Sequence, residues 1–403
     1  MRRSTDRIRT THVGSIARLP QVVRLMHARE HGRPYDEAAF GAAVRSAVHE
    51  VVQRQVQLGI DTVSDGEQGK SSFNNYINER LTGFERREGT PSGAGRGGVA
   101  WSGSRERAVF PEFYEWYGRQ VSEPLSGGGV YVCTGPVAYG GQAAVQEDIA
   151  AVKAAALQAG ADEVFMPAVA AATVAAARPN EYYRTEEEYL QALADALREE
   201  YQTIVDAGLV LQIDDPRLIS EYTMAPEMDV AAWRRWAEMR VDAINHSLKG
   251  LPVDMVRFHT CYSIDIGPRE SDLELKDIAD VMLRVNTGAY SFEAANPRHE
   301  HEYHVWEQVQ LPEGKVLIPG VISHTTHLVE HPELIAERIN RYARIVGRQN
   351  LIAGADCGFA ATARTEPEIH PTVAWAKLRA LAQGARLASR QLWSTNTAAE
   401  PLQ

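Results

Sequence analysis

His259 and Cys261 stand two residues apart at the end of an apolar stretch, Val256-Arg257-Phe258-His259-Thr260-Cys261. Alternate side chains of a strand share a face, so this imidazole and thiol can reach one metal ion together. A second thiol, Cys357, closes another apolar run that starts at Leu351, and Gly358 leaves room beside it. A lone His-x-Cys is a weak motif, since a buried cysteine also serves as a small hydrophobe. Position favours the metal, because both groups sit at strand ends where ligands from distant strands can meet. Imidazole with thiolate selects zinc over magnesium or calcium.

Glu293, in Ser291-Phe292-Glu293-Ala294-Ala295-Asn296-Pro297, is the best carboxylate to complete such a set. Its rivals lie in Arg298-His299-Glu300-His301-Glu302-Tyr303-His304, a cluster read here as the opening of a solvated helix. One neutral imidazole, two thiolates and a carboxylate bring −3 against the +2 of zinc. The formal −1 that remains favours a bound thiolate that stays nucleophilic, whereas zinc hydrolases use histidine-rich sets with bound water. The chemistry this points to is thiolate alkylation.

Other polar residues gather at strand ends. Asp214 and Asp215, in Gln212-Ile213-Asp214-Asp215-Pro216, are adjacent, so on a strand only one of them faces the site. Either can serve in acid–base work or recognise a substrate amine, and loop capping is the plainer role. Glu67, in Asp65-Gly66-Glu67-Gln68, is open to the same readings. His324 can protonate a leaving group, or be a hydrogen-bonded core histidine. Gly14-Ser15 offers backbone N–H groups to an anionic substrate group. Gly93–Gly98 is not a phosphate loop, because it lacks the preceding strand and the Gly-Lys-Ser/Thr ending.

The elements that would position these residues alternate. Nine candidate strands are legible: Thr11–Ser15, Asp61–Ser64, Val130–Cys133, Glu163–Met166, Leu209–Ile213, Met255–His259, Gly288–Phe292, Val316–Pro319 and Leu351–Ala355. The weakest is 163–166. Helical periodicity spans 36–58, 143–159, 186–207, 229–249, 273–284, 332–346 and 368–390. Short apolar strands followed by amphipathic helices predict a parallel sheet with helical crossovers. Chemistry loaded on six strand ends favours a closed α/β barrel over an open doubly wound sheet, which loads two or three. Residues 1–10 read as a frayed polar lead. A long insertion at 83–128, after the second strand, carries Phe110, Phe113, Tyr114, Trp116 and Tyr117 and reads as a lid.

With 403 residues, 44% hydrophobic and 24% charged, the chain has the make-up of a soluble globular enzyme. A net charge of −11 argues against nucleic acid as partner. No apolar run reaches membrane-spanning length, and the N-terminus lacks the apolar core of a secretory signal. Three scattered cysteines suit a reducing cytoplasm better than a disulfide framework.

Taken in order, Thr11-His12-Val13-Gly14-Ser15, Asp65-Gly66-Glu67, Gln212-Ile213-Asp214-Asp215-Pro216, His259-Thr260-Cys261, Phe292-Glu293 and Asp356-Cys357-Gly358 resemble the catalytic barrel of cobalamin-independent methionine synthase. Single-barrel relatives such as epoxyalkane:coenzyme M transferase are similar too, and the likeness runs from about Thr10 to Leu387. It implies a single (β/α)8 TIM barrel with zinc held by His259, Cys261, Glu293 and Cys357. It implies that Gly14, Ser15, Glu67 and Asp214 or Asp215 hold a thiol substrate, and that His324 assists the leaving group. We take His324 and Asp214 as the catalytic candidates, and Gly14, Ser15, Glu67 and Asp215 as substrate-binding ones. On this reading 163–166 belongs to a crossover. The chain departs from the family in three ways. Its length fits one barrel where the folate-dependent enzyme has two, Ile-Asp-Glu-Pro becomes Ile-Asp-Asp-Pro, and Gln68–Phe73 is closer to the single-barrel group.

The activity expected is zinc-dependent S-alkyl transfer. A homocysteine- or coenzyme M-like thiol would attack an sp³ carbon of a methyl donor, or of an epoxide. A small molecule, a folate or a corrinoid can supply the methyl group, and a homo-oligomer stays open. The rival readings are a metal-free lyase on the same barrel, related to uroporphyrinogen decarboxylase, and a non-catalytic thiol- or corrinoid-binding protein.

Overall fold

Short runs of wholly buried residues, such as Ala289–Phe292 and Ile352–Ala355, form strands covered on both faces, as a parallel sheet requires. In a computed structural model that describes residues 1–88, 103–120, 129–262 and 267–394, eight strands form one parallel sheet. They are β1 (Arg9–Thr10), β2 (Thr62–Val63), β5 (Glu163–Val169), β6 (Val210–Asp214), β7 (Val256–His259), β8 (Ala289–Phe292), β9 (Val316–Ile322) and β10 (Ile352–Ala355). The order β1-β10-β9-β8-β7-β6-β5-β2 leaves β1 and β2 at the two ends. Asp61 N–H donates to Thr10 O at 3.1 Å and Thr11 Oγ1 to Thr62 O at 3.1 Å, drawing those ends together into a nearly closed barrel. β3 (Leu81–Arg87) and β4 (Val130–Tyr139) pair antiparallel outside it.

Four expectations are corrected here. The 163–166 run is a barrel strand, lying in register between β2 and β6, and not part of a crossover. Val130–Cys133 is the segment outside the barrel, paired antiparallel with the 81–87 strand, and exposed positions return from Thr134 on, as suits a hairpin with one covered face. Residues 1–10 are not frayed either. The N-terminal ammonium donates to Asp254 O at 2.7 Å, Ser4 is buried against Leu351 O, and β1 is Arg9–Thr10, so Thr11–Ser15 forms the loop beyond it. Gly93–Gly98, Gly127-Gly128 and Ser263 lie outside the described residues.

The helices follow their local chemistry. Helix Glu37–Leu58 starts with Asp36 Oδ1 accepting from Ala39 N–H and stops at Gly59, whose φ of 90° is left-handed. It buries Val48, Val51, Val52 and Gln55, a spacing of three and four that lays one face on the sheet. Helix Glu186–Asp206 is capped by Thr185 and has three glutamates in its first turn, where the helix dipole favours negative charge. The Ala-rich helix Ala171–Ala177 and the eight-residue helix Arg217–Met224 lie outside the helical runs expected from the sequence.

The barrel interior is not purely apolar. Arg257 is buried with its guanidinium carbon 3.5 Å from the Phe165 ring centroid. It donates to Gln212 Oε1, Thr11 Oγ1 and His12 O at 2.8–2.9 Å. Burial brings its pKa down to about 9, against the pull of Asp214. One cation thus ties β1's loop, β6 and β7 together beneath the mouth, with its donors satisfied as a buried charge requires.

Candidate active site

Strand register sets the first row of the site. Asp214 lies opposite His259 on β7, and His259 opposite Ser291 on β8. All three point the same way off neighbouring strand ends. Ser291 Oγ is 3.1 Å from His259 Nδ1, so with the proton on Nδ1 the lone pair of Nε2 is presented to the mouth. Nε2 is buried and has no hydrogen-bond partner. Burial drives the His259 pKa down to about 3, so the ring is neutral.

Cys261 and Cys357 meet across the barrel, with their sulfurs 3.2 Å apart. The ligand atoms of His259, Cys261 and Cys357 lie within 4.8 Å of one another, and all three residues are buried. The hydrogen bond to Cys357, together with burial, pushes the Cys261 thiol well above its usual range. Two thiolates this close require a cation between them. An orphaned imidazole nitrogen beside two thiols fits a soft or borderline divalent ion such as zinc.

Glu293, His324 and Asp356 form an adjoining group, again within 4.8 Å of one another. Glu293 Oε1 accepts from Tyr262 N–H at 2.8 Å and Oε2 from Asn296 Nδ2 at 2.9 Å, while Arg269 Nη1 sits 3.3 Å from Oε2. Burial opposes its charge, yet Arg269, with His324 and His299, brings its pKa below the ordinary value. Asp356 Oδ1 accepts from the N–H groups of Ala294 and Ala295 at 2.7 and 2.8 Å, joining the Glu293 loop to the Cys357 loop. Gly320 makes this approach feasible, since a Cβ there would collide with the Asp356 carboxylate. Burial, then Glu293, raises Asp356 to about 7.

On the opposite rim, Gly14, Glu67 and Asp214 come together. A Cβ on Gly14 would lie 3.3 Å from Glu67 Oε1 and 2.9 Å from Pro167 Cγ. Glu67 holds a left-handed φ of 56°, fixed by its own N–H donating to Asp65 Oδ1 at 2.9 Å. Arg18 pairs with Glu67 Oε2 at 3.2 Å, and both side chains are buried. Burial raises the pKa of Glu67, with Arg18 opposing. Asp214 accepts from Gln212 Nε2 at 2.7 Å; burial and then Glu67 hold its pKa well above the carboxylate range. Ser15 sits over Gly358, where a Cβ would strike its Oγ, and this links the two rims. The Gly14 N–H is already given to His12 Nδ1 at 3.2 Å.

Asp215 stands apart. Its Oδ1 accepts from Thr173 Oγ1 at 2.7 Å and Leu218 N–H at 3.3 Å, which ties it to helices outside the barrel. Burial raises it to about 6. The 298–304 stretch opens a 3-10 helix, Glu300–Glu307, in place of a solvated α-helix. His299 is buried there, bonded to Glu302 at 2.8 Å and Asp272 at 3.1 Å, with its ring stacked on Tyr262 at 3.9 Å. Sequence reasoning assigned no role to Arg18, Arg269, Asn296 or Asp356. Only Asp356 carried a signal, as the neighbour of Cys357.

Fold and rim together define a (β/α)8-barrel enzyme with a sulfur-rich donor cluster at the C-terminal ends of its strands. Residues 129–378 match the cobalamin-independent synthase catalytic domain, and the chain belongs to that family, a transferase of the methionine synthase type. The methionine synthase of Thermococcus kodakarensis is 24% identical over 389 residues, covering 95% of this chain and 94% of that protein. The 5-methyltetrahydropteroyltriglutamate–homocysteine methyltransferase of Vibrio parahaemolyticus is 24% identical over 87% of this chain, which spans 40% of that protein. Among solved structures, a B12-independent methionine synthase from Shewanella sp. W3-18-1 superposes with a TM-score of 0.71 at 18% identity, covering 96% of this chain and 99% of that one. The last likeness shows the fold. No helix among the described residues is long and apolar enough to cross a membrane.

Proposed function

We propose that the chain is a cytoplasmic zinc-dependent S-methyltransferase, in which a homocysteine-like thiol attacks the methyl carbon of a small-molecule, folate or corrinoid donor. The observation that carries this reading is the buried His259 Nε2, without a hydrogen-bond partner, beside two thiols 3.2 Å apart. His259, Cys261, Glu293 and Cys357 would hold the ion. Zinc there supplies a positive charge that keeps a substrate thiol deprotonated near pH 7.

The chain's own residues do the rest. Asp214 and Glu67 receive the substrate's ammonium between two buried carboxyl groups, of which Glu67 is already paired with Arg18. The Ser15 turn receives the substrate carboxylate. The sulfur then forms its bond to the methyl carbon as the carbon–donor bond breaks. The leaving group takes the electron pair, and His324 returns a proton to it. The described helices of the insertion would cover the mouth, since Arg105, in the helix Arg105–Val109, donates to the carbonyls of Tyr222 and Ala225, in the segment that follows β6.

The test incubates purified protein with homocysteine or coenzyme M and, in separate arms, a methyl-folate, a methyl-corrinoid and an epoxide, and weighs the products. A methylated thiol supports the proposal, and a hydroxyalkyl thioether replaces it with ring opening. Full activity in protein stripped of metal would sink both.

A further inference from the structure

We infer that the insertion helices set the orientation of the Glu293 carboxylate by clamping the loop that carries Arg269, so that Arg269 is a positioning residue for the metal centre. This rests on the zinc reading above and adds to it a mechanical link from outside the barrel.

The link can be followed atom by atom. Glu106, in helix Arg105–Val109, is buried, and its two oxygens accept from Glu270 N–H at 3.3 Å and Ser271 N–H at 3.0 Å. Those are the two N–H groups that follow Arg269, whose φ of 63° is left-handed. A non-glycine residue holds that conformation only when its surroundings over-determine it. The surroundings here are supplied by the insertion. Besides Glu106, the Tyr114 hydroxyl packs so closely on Gly267 that a Cβ there would lie 2.6 Å away. From the barrel side, Arg298 Nη2 donates to Glu270 O at 2.8 Å.

The far end of the Arg269 side chain straddles Glu293, with Nη1 3.4 Å from Oε1 and 3.3 Å from Oε2. Asp272 Oδ2 lies 3.6 Å from the same nitrogen. Groups that hydrogen-bond a ligating carboxylate fix its direction and tune its charge, and their loss costs about ten- to a hundredfold in metal affinity. Among the described residues, Glu293 bonds Tyr262, Arg269 and Asn296 and neither Glu106 nor the insertion, so an effect of Glu106 on the metal would travel through the loop.

The experiment is a double-mutant cycle read on the metal. Wild type, Glu106→Ala, Arg269→Gln and the double variant are titrated with zinc against a chromogenic chelator, and the absorption bands of their cobalt(II) forms are recorded. Glu106→Ala should weaken zinc about tenfold and shift the cobalt bands as Arg269→Gln does. The double variant should be no weaker than Arg269→Gln alone, because the two act in series. Additive losses, or a Glu106→Ala protein with wild-type affinity and spectrum, overturn the inference. Should Glu106→Ala fail to fold, Glu106→Gln, which keeps one acceptor oxygen, takes its place in the same cycle. A wild-type protein that takes up neither ion refutes the zinc reading itself.

Discussion

The two rims of the barrel mouth carry opposite electrostatic problems. On the rim of β7, β8 and β10, the donors stay neutral or are balanced nearby: a neutral imidazole, a Cys261 thiol raised by its bond to Cys357 and by burial, and a carboxylate held by Arg269. On the rim of β1, β2 and β6, Glu67 and Asp214 are both buried, Glu67 helps raise Asp214, Arg18 pairs with Glu67, and Lys70 favours the charged form of each. The first rim is organised around donor atoms with lone pairs converging on a point. The second is organised around two buried carboxyl groups, Glu67 and Asp214. Burial turns both into binding sites, because an uncompensated charge or lone pair costs most where water is excluded. A soft cation suits the first, and an organic ammonium the second.

Breaking the sulfur rim should give the largest effect. Cys261→Ala or Cys357→Ala should lose stoichiometric zinc, measured by elemental analysis, and abolish thiol methylation with it. Removing charge from the other rim should be milder and selective. Asp214→Asn should raise KM for an amino-acid thiol about ten- to a hundredfold and leave zinc content intact. A thiol lacking the amino group should show little change, and equal losses for both thiols would refute amine recognition.

The contact between the rims can be tested by overfilling it. Gly358→Ala drives a methyl into Ser15 Oγ and should cost about 1–3 kcal/mol in urea unfolding. The smallest effect belongs to Asp215, which lies outside both rims. Burial raises its folded pKa to about 6 from an ordinary 3.8, so its proton is held more tightly in the folded protein. Its contribution to stability is therefore full below 3.8 and is lost as pH rises through about 6. Asp215→Asn removes that loss, so the variant's unfolding free energy from urea titrations should gain on wild type between about pH 4 and about pH 7, by up to roughly 3 kcal/mol. A constant difference across that range would show that Asp215 does not titrate there.

Much of this molecule was legible as pattern. The helices at 36–58, 143–159, 186–207 and 332–346 match the observed elements within a residue or two, because their buried positions recur at helical spacing. A parallel barrel followed from the alternation of strand and helix and from the loaded strand ends, whereas nine candidate strands were reduced to eight only by the family resemblance. The choice between 130–133 and 163–166 as barrel strand was not legible. Both are short apolar runs, and only pairing in three dimensions tells a buried parallel strand from one arm of an outlying hairpin.

The sequence by itself determined which residues can do chemistry. His259 and Cys261 share a strand face through period-two geometry, and Asp214 and Asp215 must diverge for the same reason. Tertiary structure decided which of them meet. It brought Cys357 to 3.2 Å from Cys261 across 96 residues of chain, turned Asp215 toward Thr173, and placed Arg269 on Glu293. Local periodicity fixes the direction of a side chain along its own element. Distances between elements depend on register, loop conformation and packing, to which all the strands and the insertion contribute.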